Sequence, residues 1–330
     1  MTTPPPPDPL AGGGAAFPAG VGSQAPPHGQ DNPYAPPATG RPYPPFPPPP
    51  APPSQYGTWT GGPPPYPQPG WSGVPPTQQA LIYPGAPHTL VAAVKSGANV
   101  KAAGWGIPDV VVTGGLWFFF SLLSAGVVLV LFGEQSLTEP PPAALLLLLS
   151  VPWLGLAGWP LLVSWWRGNG PVIDFGYTWR LSDLGWGVLY GMAALAGSAL
   201  IAVATTAAFG DFDSAVGELV SDDASLAFLI VFGILVGIGA PLVEELAFRG
   251  LLFGALAKRR LAPWVTIVLS GVVFALFHFE PIRVPLLLWT GLVLGLARFH
   301  RGSTTVSTVA HMSVNLPAAV ALIVMGPESL

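Results

Sequence analysis

Long apolar runs separated by short polar or proline-containing breaks extend from residue 110 to residue 325. Most runs approach the ~20 residues that a helix needs to cross the hydrocarbon core of a bilayer. The fifth and sixth runs are shorter and could instead form one helical hairpin. The pattern predicts an all-α, multi-pass transmembrane helical bundle of about seven spans. The runs are residues 110–132, 143–166, 184–209, 226–254, 263–279, 284–300 and 304–325.

Composition agrees with a membrane environment. Only 8% of the 330 residues are charged, and the mean hydropathy is +0.55, whereas a soluble domain carries about 25% charged residues. Cysteine is absent, which excludes disulfides, thiolate nucleophiles and cysteine-ligated metals. The 12 Lys and Arg residues are scattered around the runs and form no basic face, so nucleic-acid binding is not expected.

Basic and acidic residues occupy alternate loops between the runs. Because cytoplasmic loops carry the excess of Lys and Arg, this alternation places the N-terminus in the cytoplasm and the C-terminus outside. The basic loops contain Lys95 and Lys101, then Arg167 and Arg180, then Lys258, Arg259 and Arg260, then Arg298 and Arg301. The other loops contain Glu134 and Glu139, then Asp211, Asp213, Glu218, Asp222 and Asp223, then Glu280 with Arg283.

Residues 1–87 hold 29 of the 42 prolines, interspersed with Gly, Tyr and Gln. Such a segment cannot bury enough apolar surface to offset the entropy of ordering it. We therefore expect a disordered cytoplasmic tail over residues 1–87 and a helical membrane domain over residues 88–330. Pro-Pro-Tyr-like pieces of the tail could bind partner proteins, and a solvated tether is the simpler interpretation.

The fourth run contains two adjacent carboxylates and an arginine, Glu244, Glu245 and Arg249. Each costs about 2.5–3.5 kcal/mol at the centre of a membrane helix by insertion scales. Glu245 and Arg249 are four residues apart and can pair on one helix face. Glu244 is rotated away by about 100°. We predict that the pair braces the helix and leaves Glu244 free for chemistry, against the alternative that all three are structural.

Three further polar side chains fall in the last runs: His278 in the fifth, and His311 and Asn315 in the seventh. Each histidine alone would more often be a packing residue, but several polar side chains in lipid are stabilised only where they meet. Counting ~1.5 Å per residue from the cytoplasmic ends puts Glu244 and His311 near mid-membrane and His278 deeper. A shared site therefore requires a tilted or displaced fifth helix.

This set of side chains is suited to hydrolysis by water. A carboxylate and an imidazole that share a water molecule can deliver hydroxide to an amide carbonyl, while a second imidazole and a carboxamide donate to the oxyanion. Alternatively, Glu244, His278 and His311 supply a two-histidine, one-glutamate ligand set for zinc. No cofactor is firmly predicted, and zinc remains an alternative. Against zinc, Asn315 is an uncommon ligand, and Glu245, the available second-shell carboxylate, is expected to be occupied by Arg249.

At these residues the sequence resembles the CPBP family of intramembrane proteases, also called the CAAX prenyl protease type II or ABI family. The three motifs of that family occur in order, within residues 175–325: Glu-Glu-x-x-x-Arg at 244–249, Phe-x-x-x-His at 274–278, and His-x-x-x-Asn at 311–315. The resemblance implies a helical membrane bundle with a polar cavity. Within it, Glu244 and His278 would activate water, and His311 and Asn315 would line the oxyanion side. The family has been described both as glutamate-dependent and as a metalloprotease.

The leading hypothesis is an intramembrane endopeptidase, with membrane lipid around it and a membrane-associated polypeptide as substrate. Eukaryotic members of the family cut after a prenylated cysteine, and bacterial members act in bacteriocin maturation, self-immunity or scaffolding. The tail composition is similar to that of actinobacterial membrane proteins, which suggests a bacterial plasma membrane. The main rival is a non-catalytic scaffold that binds partners through the bundle and the tail. A proton-coupled transporter is disfavoured because the inverted repeats typical of that class are not visible.

Overall fold

A computed structural model describes residues 74–210, 220–221 and 224–326 of the chain. Within these ranges the regular secondary structure is helical and contains no strand, which confirms the predicted all-α fold. Short helices cover Pro76–Gln79, His88–Lys95 and Pro171–Phe175, and 3₁₀ turns cover Glu134–Leu137 and Pro281–Arg283. The principal helices are α1 (Ile107–Phe132), α2 (Pro142–Arg167, interrupted after Ser150), α3 (Leu181–Phe209), α4 (Leu226–Ala257), α5 (Pro263–Phe277), α6 (Val284–Arg301) and α7 (Thr304–Met325).

Six of these helices are long and apolar enough to cross a membrane: all except α5. Helix α5 has 15 residues, or about 22 Å at 1.5 Å per residue, which is less than the ~30 Å hydrocarbon core. The sequence predicted about seven spans. The described residues contain six helices of spanning length and one shorter apolar helix. Large apolar side chains point outward along the long helices, as with Val130, Leu181 and Leu200. Lipid solvates such side chains, so this exposure carries no hydrophobic cost in a membrane.

The chain reverses direction directly after the short helix α5. His278 follows the last residue of α5, and Phe279 then adopts a left-handed backbone with φ +57°, a conformation that helices cannot continue through. The chain turns back through Pro281–Arg283 into α6. The two helices approach so closely that a Cβ at Gly291 would lie 2.9 Å from the Cα of Gly271.

Helix α4 is irregular where it carries the paired carboxylates. Two π-helical segments, Leu235–Gly239 and Leu246–Leu252, flank the α-helical stretch Ala240–Glu245. Pro241 lies in that stretch and has no N–H, so a carbonyl of the preceding turn lacks its usual backbone donor. Wide helical turns of this kind occur frequently at functional sites, and here they flank Glu244 and Glu245.

Residues 74–87, which the composition assigned to the tail, pack against the helical domain. Val74, Leu81 and Tyr83 join the apolar cluster around Leu90 and Val94. Apolar side chains, scarce in the proline-rich stretch before them, explain why these residues can be ordered. The packed part of the chain therefore includes residues 74–87, and the predicted boundary at residue 87 is corrected for them. The rest of the predicted tail, residues 1–73, lies outside the described residues.

The four basic loops converge at one end of the bundle. Lys101 donates its backbone N–H to Asn169, which follows α2, at 2.9 Å. Lys258, which follows α4, donates to the carbonyl of Ala103 at 3.0 Å, and Arg298 of α6 lies 3.4 Å from the carbonyl of Gly85. The packing thus agrees with the alternation of basic and acidic loops. Most of the acidic loop between α3 and α4 (residues 211–219 and 222–223) lies outside the described residues.

Candidate active site

Glu244 of α4 and His278 at the end of α5 face each other. Glu244 Oε2 lies 3.9 Å from His278 Nε2, too far for a direct hydrogen bond. His278 Nδ1 lies 2.8 Å from the carbonyl oxygen of Phe274. Because a carbonyl only accepts, Nδ1 carries the proton and Nε2 presents its lone pair towards Glu244 when the ring is neutral. Among the described residues, Glu244 Oε2 has no hydrogen-bond partner, which is also true of Glu245 Oε2.

The expected ion pair between Glu245 and Arg249 is present in the structure. Arg249 donates to Glu245 Oε1 at 2.6 Å, and both side chains are fully buried. The second guanidinium nitrogen of Arg249 donates to the carbonyl of Gly291 in α6 at 2.9 Å. The arginine therefore joins α4 to α6 as well as neutralising the carboxylate, and the close approach of Gly271 and Gly291 brings α6 against α5 at that level.

Glu245 also accepts from His311 of α7, a contact that the sequence analysis did not anticipate. His311 Nδ1 lies 3.2 Å from Glu245 Oε1, the same oxygen that Arg249 contacts. The assumption that Arg249 alone occupies Glu245 is therefore wrong, and with it the second-shell argument against zinc. A carboxylate accepts the Nδ1 proton, which leaves His311 Nε2 as the ring atom able to act on a ligand.

Asn315 lies one turn after His311 and contacts the irregular part of α4. Its amide nitrogen donates to the carbonyl of Val236, in the first π-helical segment, at 3.1 Å. This contact supplies a donor to the turn in which Pro241 cannot donate. Because an amide nitrogen carries two N–H groups, one remains for another acceptor. Asn315 therefore holds α7 to α4 and can still donate to a ligand.

Phe274, the first residue of the second motif, contacts one side chain from each of the three motifs. The guanidinium of Arg249 lies 4.5 Å from the centre of its ring. The imidazoles of His278 and His311 lie 4.7 and 5.5 Å from it in edge-on arrangements. The three motifs thus converge around one aromatic ring, which is the reason for an aromatic residue four positions before His278.

These side chains open onto a cavity of about 310 Å³. Glu244, His278, His311 and Asn315 all line it, and most of the remaining wall is apolar. Four polar residues that the sequence analysis did not assign to the site also line it: Ser198 of α3, Thr290 of α6, and Glu280 and Arg283 after α5. The last two form an ion pair at 2.6 Å. Their position within five residues of His278 was the signal that could have identified them.

Glu244, His278 and His311, the ligands of the alternative zinc hypothesis, do not form a metal site in this arrangement. Among the residues that the structure describes, no three His, Cys, Asp or Glu side chains are gathered closely enough to hold a metal ion. His311 is turned so that Nδ1 contacts Glu245, whereas His278 faces Glu244. The observed geometry therefore fits two functional pairs of side chains better than one three-residue ligand set.

Comparison with known proteins agrees with this geometry. Residues 226–317 match the family model described as type II CAAX prenyl endopeptidase Rce1-like. No curated protein and no solved structure gives a significant match to the chain. The family match and the six apolar helices together identify a multi-pass membrane protein and support a CAAX-protease-like endopeptidase at the level of the family. The part of the chain that contains all three motifs, residues 226–317, is thus similar to the Rce1-like family of type II CAAX prenyl endopeptidases.

Proposed function

We propose that this protein is an intramembrane endopeptidase that hydrolyses membrane-associated polypeptides with a water molecule activated by Glu244 and His278. The observation that carries the proposal is the separation of roles between adjacent carboxylates. Glu245 is buried against Arg249 and His311, while the neighbouring Glu244 faces His278 across the cavity with one oxygen unpaired among the described residues. Each carboxylate has one oxygen without a partner among the described residues, so the difference between them lies in their neighbours: Glu245 is paired with Arg249 and His311, whereas Glu244 lines the cavity and faces His278.

In the proposed reaction, a water molecule lies between Glu244 Oε2 and His278 Nε2. Glu244 takes one proton from the water while His278 Nε2 accepts a hydrogen bond from the other O–H, and the oxygen attacks the carbonyl carbon of the peptide bond. The proton held by Glu244 then passes to the amide nitrogen as the carbon–nitrogen bond breaks. The second proton of the water, left on the new carboxyl group, passes to the amine through His278 Nε2. The products are a carboxylate and an ammonium group, Glu244 returns to its ionised form and His278 to its neutral form.

His311 and Asn315 would stabilise the tetrahedral intermediate. The second amide N–H of Asn315 can donate to the oxyanion. His311 can donate from Nε2 only as an imidazolium, because its Nδ1 proton is directed at Glu245. The contact with Glu245 fixes which ring nitrogen of His311 can reach a ligand, so the buried cluster positions His311 as well as bracing the helices.

The walls of the cavity support an apolar, extended segment as substrate. Apolar side chains such as Leu286, Leu287 and Val314 line the approach to Glu244 and His278, and backbone next to the scissile bond must be unwound for water to reach it. We further propose that the basic end of the bundle faces the cytoplasm, in accordance with the excess of Lys and Arg in its loops.

Replacing His278 tests whether the protein is an enzyme or a scaffold. We expect His278→Ala to reduce cleavage about 10²–10⁴-fold, because the water loses one of its two partners. The measurement is a quantitative comparison of membrane peptides and protein termini in cells producing the wild type or the variant.

His300→Ala is the matched control, because His300 lies at the end of α6, where it contacts Tyr190 at 2.7 Å, and does not line the cavity. Termini that disappear with His278→Ala but persist with His300→Ala would support proteolysis. Identical termini in all three strains, with equal amounts of protein, would favour the scaffold.

The proposal also predicts activity without a bound metal. We expect the purified protein to keep its activity after exhaustive chelation, because the proposed water contacts only Glu244 and His278. Metal content is measured by mass spectrometry on the same sample, and a zinc metallopeptidase treated in parallel shows that the chelation is effective. Activity that disappears on chelation and returns with stoichiometric zinc would contradict the mechanism.

A further inference from the structure

A second cavity, of about 180 Å³, lies at the basic end of the bundle, away from the candidate active site. Three cations line it: Lys101, Lys258 and Arg260. Lys101 precedes the first residue of α1 by six positions, and Lys258 and Arg260 directly follow α4. Because the cavity lies where the membrane-spanning helices end, it lies at the level of lipid headgroups.

The protein neutralises the charge on this cavity only in part. Within the described ranges, none of the three cations forms a salt bridge with a carboxylate. Asp174 also lines the cavity, but its oxygens accept hydrogen bonds from Trp105 at 2.9 Å and from the backbone and side chain of Asn169 at 2.9 and 3.0 Å. The cavity therefore carries a net positive charge at neutral pH.

Lys258 is the most constrained of the three cations. Its ammonium group lies 3.6 Å from the centre of the Trp105 ring and donates to the backbone carbonyls of Ala103 and Trp105. Burial lowers the pKa of Lys258 to about 8, although the carboxylates of Asp174 and Asp109 act in the opposite direction. An anion within the cavity would stabilise the charged form of Lys258.

We propose that this cavity binds the phosphate-containing headgroup of an anionic phospholipid. The two exposed cations, Lys101 and Arg260, provide the charge that attracts an anionic headgroup. The apolar side chains of Leu81 and Leu90 form another part of the wall, suited to the glycerol end of the lipid. The volume holds about six water-sized groups, enough for a phosphate group and too small for a whole lipid.

The cavity also contacts the helix that carries Glu244. A Cβ at Gly254, near the end of α4, would lie 2.9 Å from the Trp105 ring, and Lys258 is continuous with that helix. A bound headgroup would therefore fasten the segment that precedes α1 to the end of α4. This inference does not depend on the proposed proteolysis, since it concerns binding at a separate site.

Native mass spectrometry of the full-length protein in detergent, with phosphatidylglycerol or phosphatidylcholine added, tests the proposal. We expect one saturable phosphatidylglycerol site in the wild type and about fivefold weaker binding in Lys101→Gln. The Lys101 side chain makes no hydrogen bond with the described residues, so its replacement disturbs little else. Arg260→Gln should weaken binding similarly, although it also removes contacts to the carbonyls of Ala80 and Ile82.

Arg259→Gln is the matched control, because Arg259 is exposed, belongs to the same loop and does not line the cavity. Wild-type binding in Arg259→Gln, with weaker binding in Lys101→Gln, would support the site. Equal losses in both variants, or equal binding of the two lipids, would overturn it. Millimolar inorganic phosphate is added as a competitor of bound phosphatidylglycerol. If it displaces the lipid as effectively as further phosphatidylglycerol does, the proposal is also overturned, since the site would then bind free phosphate and not a lipid.

Discussion

Glu244→Gln is expected to abolish proteolysis while the protein remains folded and inserted in the membrane. Glutamine matches glutamate in size, so the packing of α4 is kept, but an amide cannot take a proton from water. The loss should amount to about 10²–10⁴-fold or fall below detection. The measurement is a proteomic comparison of cells that contain equal amounts of the wild type and the variant, together with the thermal stability of the purified proteins.

Glu280→Gln is the matched control for this variant. Glu280 lines the same cavity as Glu244, but its carboxylate is paired with Arg283. We expect the control to retain most of the activity, because it does not contact the proposed water. Cleavage by a well-expressed Glu244→Gln protein would remove Glu244 from the catalytic role. A comparable loss in Glu280→Gln would assign the effect to the charge of the cavity and not to water activation.

Arg249→Ala is expected to reduce the amount of protein in the membrane and its thermal stability. The Arg249 and Glu245 side chains are fully buried, and removing one member of a buried ion pair costs about 3–5 kcal/mol, because the other charge is left uncompensated. The contacts of Arg249 with the Gly291 carbonyl and the Phe274 ring are lost as well. Membrane abundance and thermal unfolding in detergent measure the effect.

Two further variants separate the buried pair from a general effect of arginine removal. Arg283→Ala breaks an ion pair in which both side chains are partly exposed, and it should cost less than about 1 kcal/mol. Neutralising both partners of the buried pair, as in Glu245→Gln/Arg249→Met, should cost less than Arg249→Ala alone. Normal abundance and stability of Arg249→Ala would show that the pair does not brace α4.

The sequence by itself determined the features that follow from local helix geometry. Hydrophobic run length predicted the helical membrane bundle, because crossing a bilayer requires a nearly constant number of residues. The four-residue spacing of Glu245 and Arg249 predicted their ion pair, since such positions lie on one helix face. The order of the three motifs indicated the family that the comparison confirms for residues 226–317.

Only the tertiary structure decided where the helices end and which side chains meet between them. His278 follows the end of α5 and lies opposite Glu244, although counting residues along each helix placed the two side chains at different depths. Glu245 contacts His311 although 66 positions separate them. Distances between helices depend on packing at points such as Gly271 and Gly291, and periodicity within one helix contains no information about its neighbours.

Packing between elements also explains why some residues have roles that composition and local pattern did not predict. Residues 74–87 follow a proline-rich stretch, and their few apolar side chains are stabilised only by contact with the domain. The sequence pattern placed Glu280 and Arg283 in a loop, and the turn after α5 brings both side chains to the cavity. Asn315 matches its motif in sequence, but its hydrogen bond to the carbonyl of Val236, in a π-helical segment of the facing helix, depends on how α7 packs against α4.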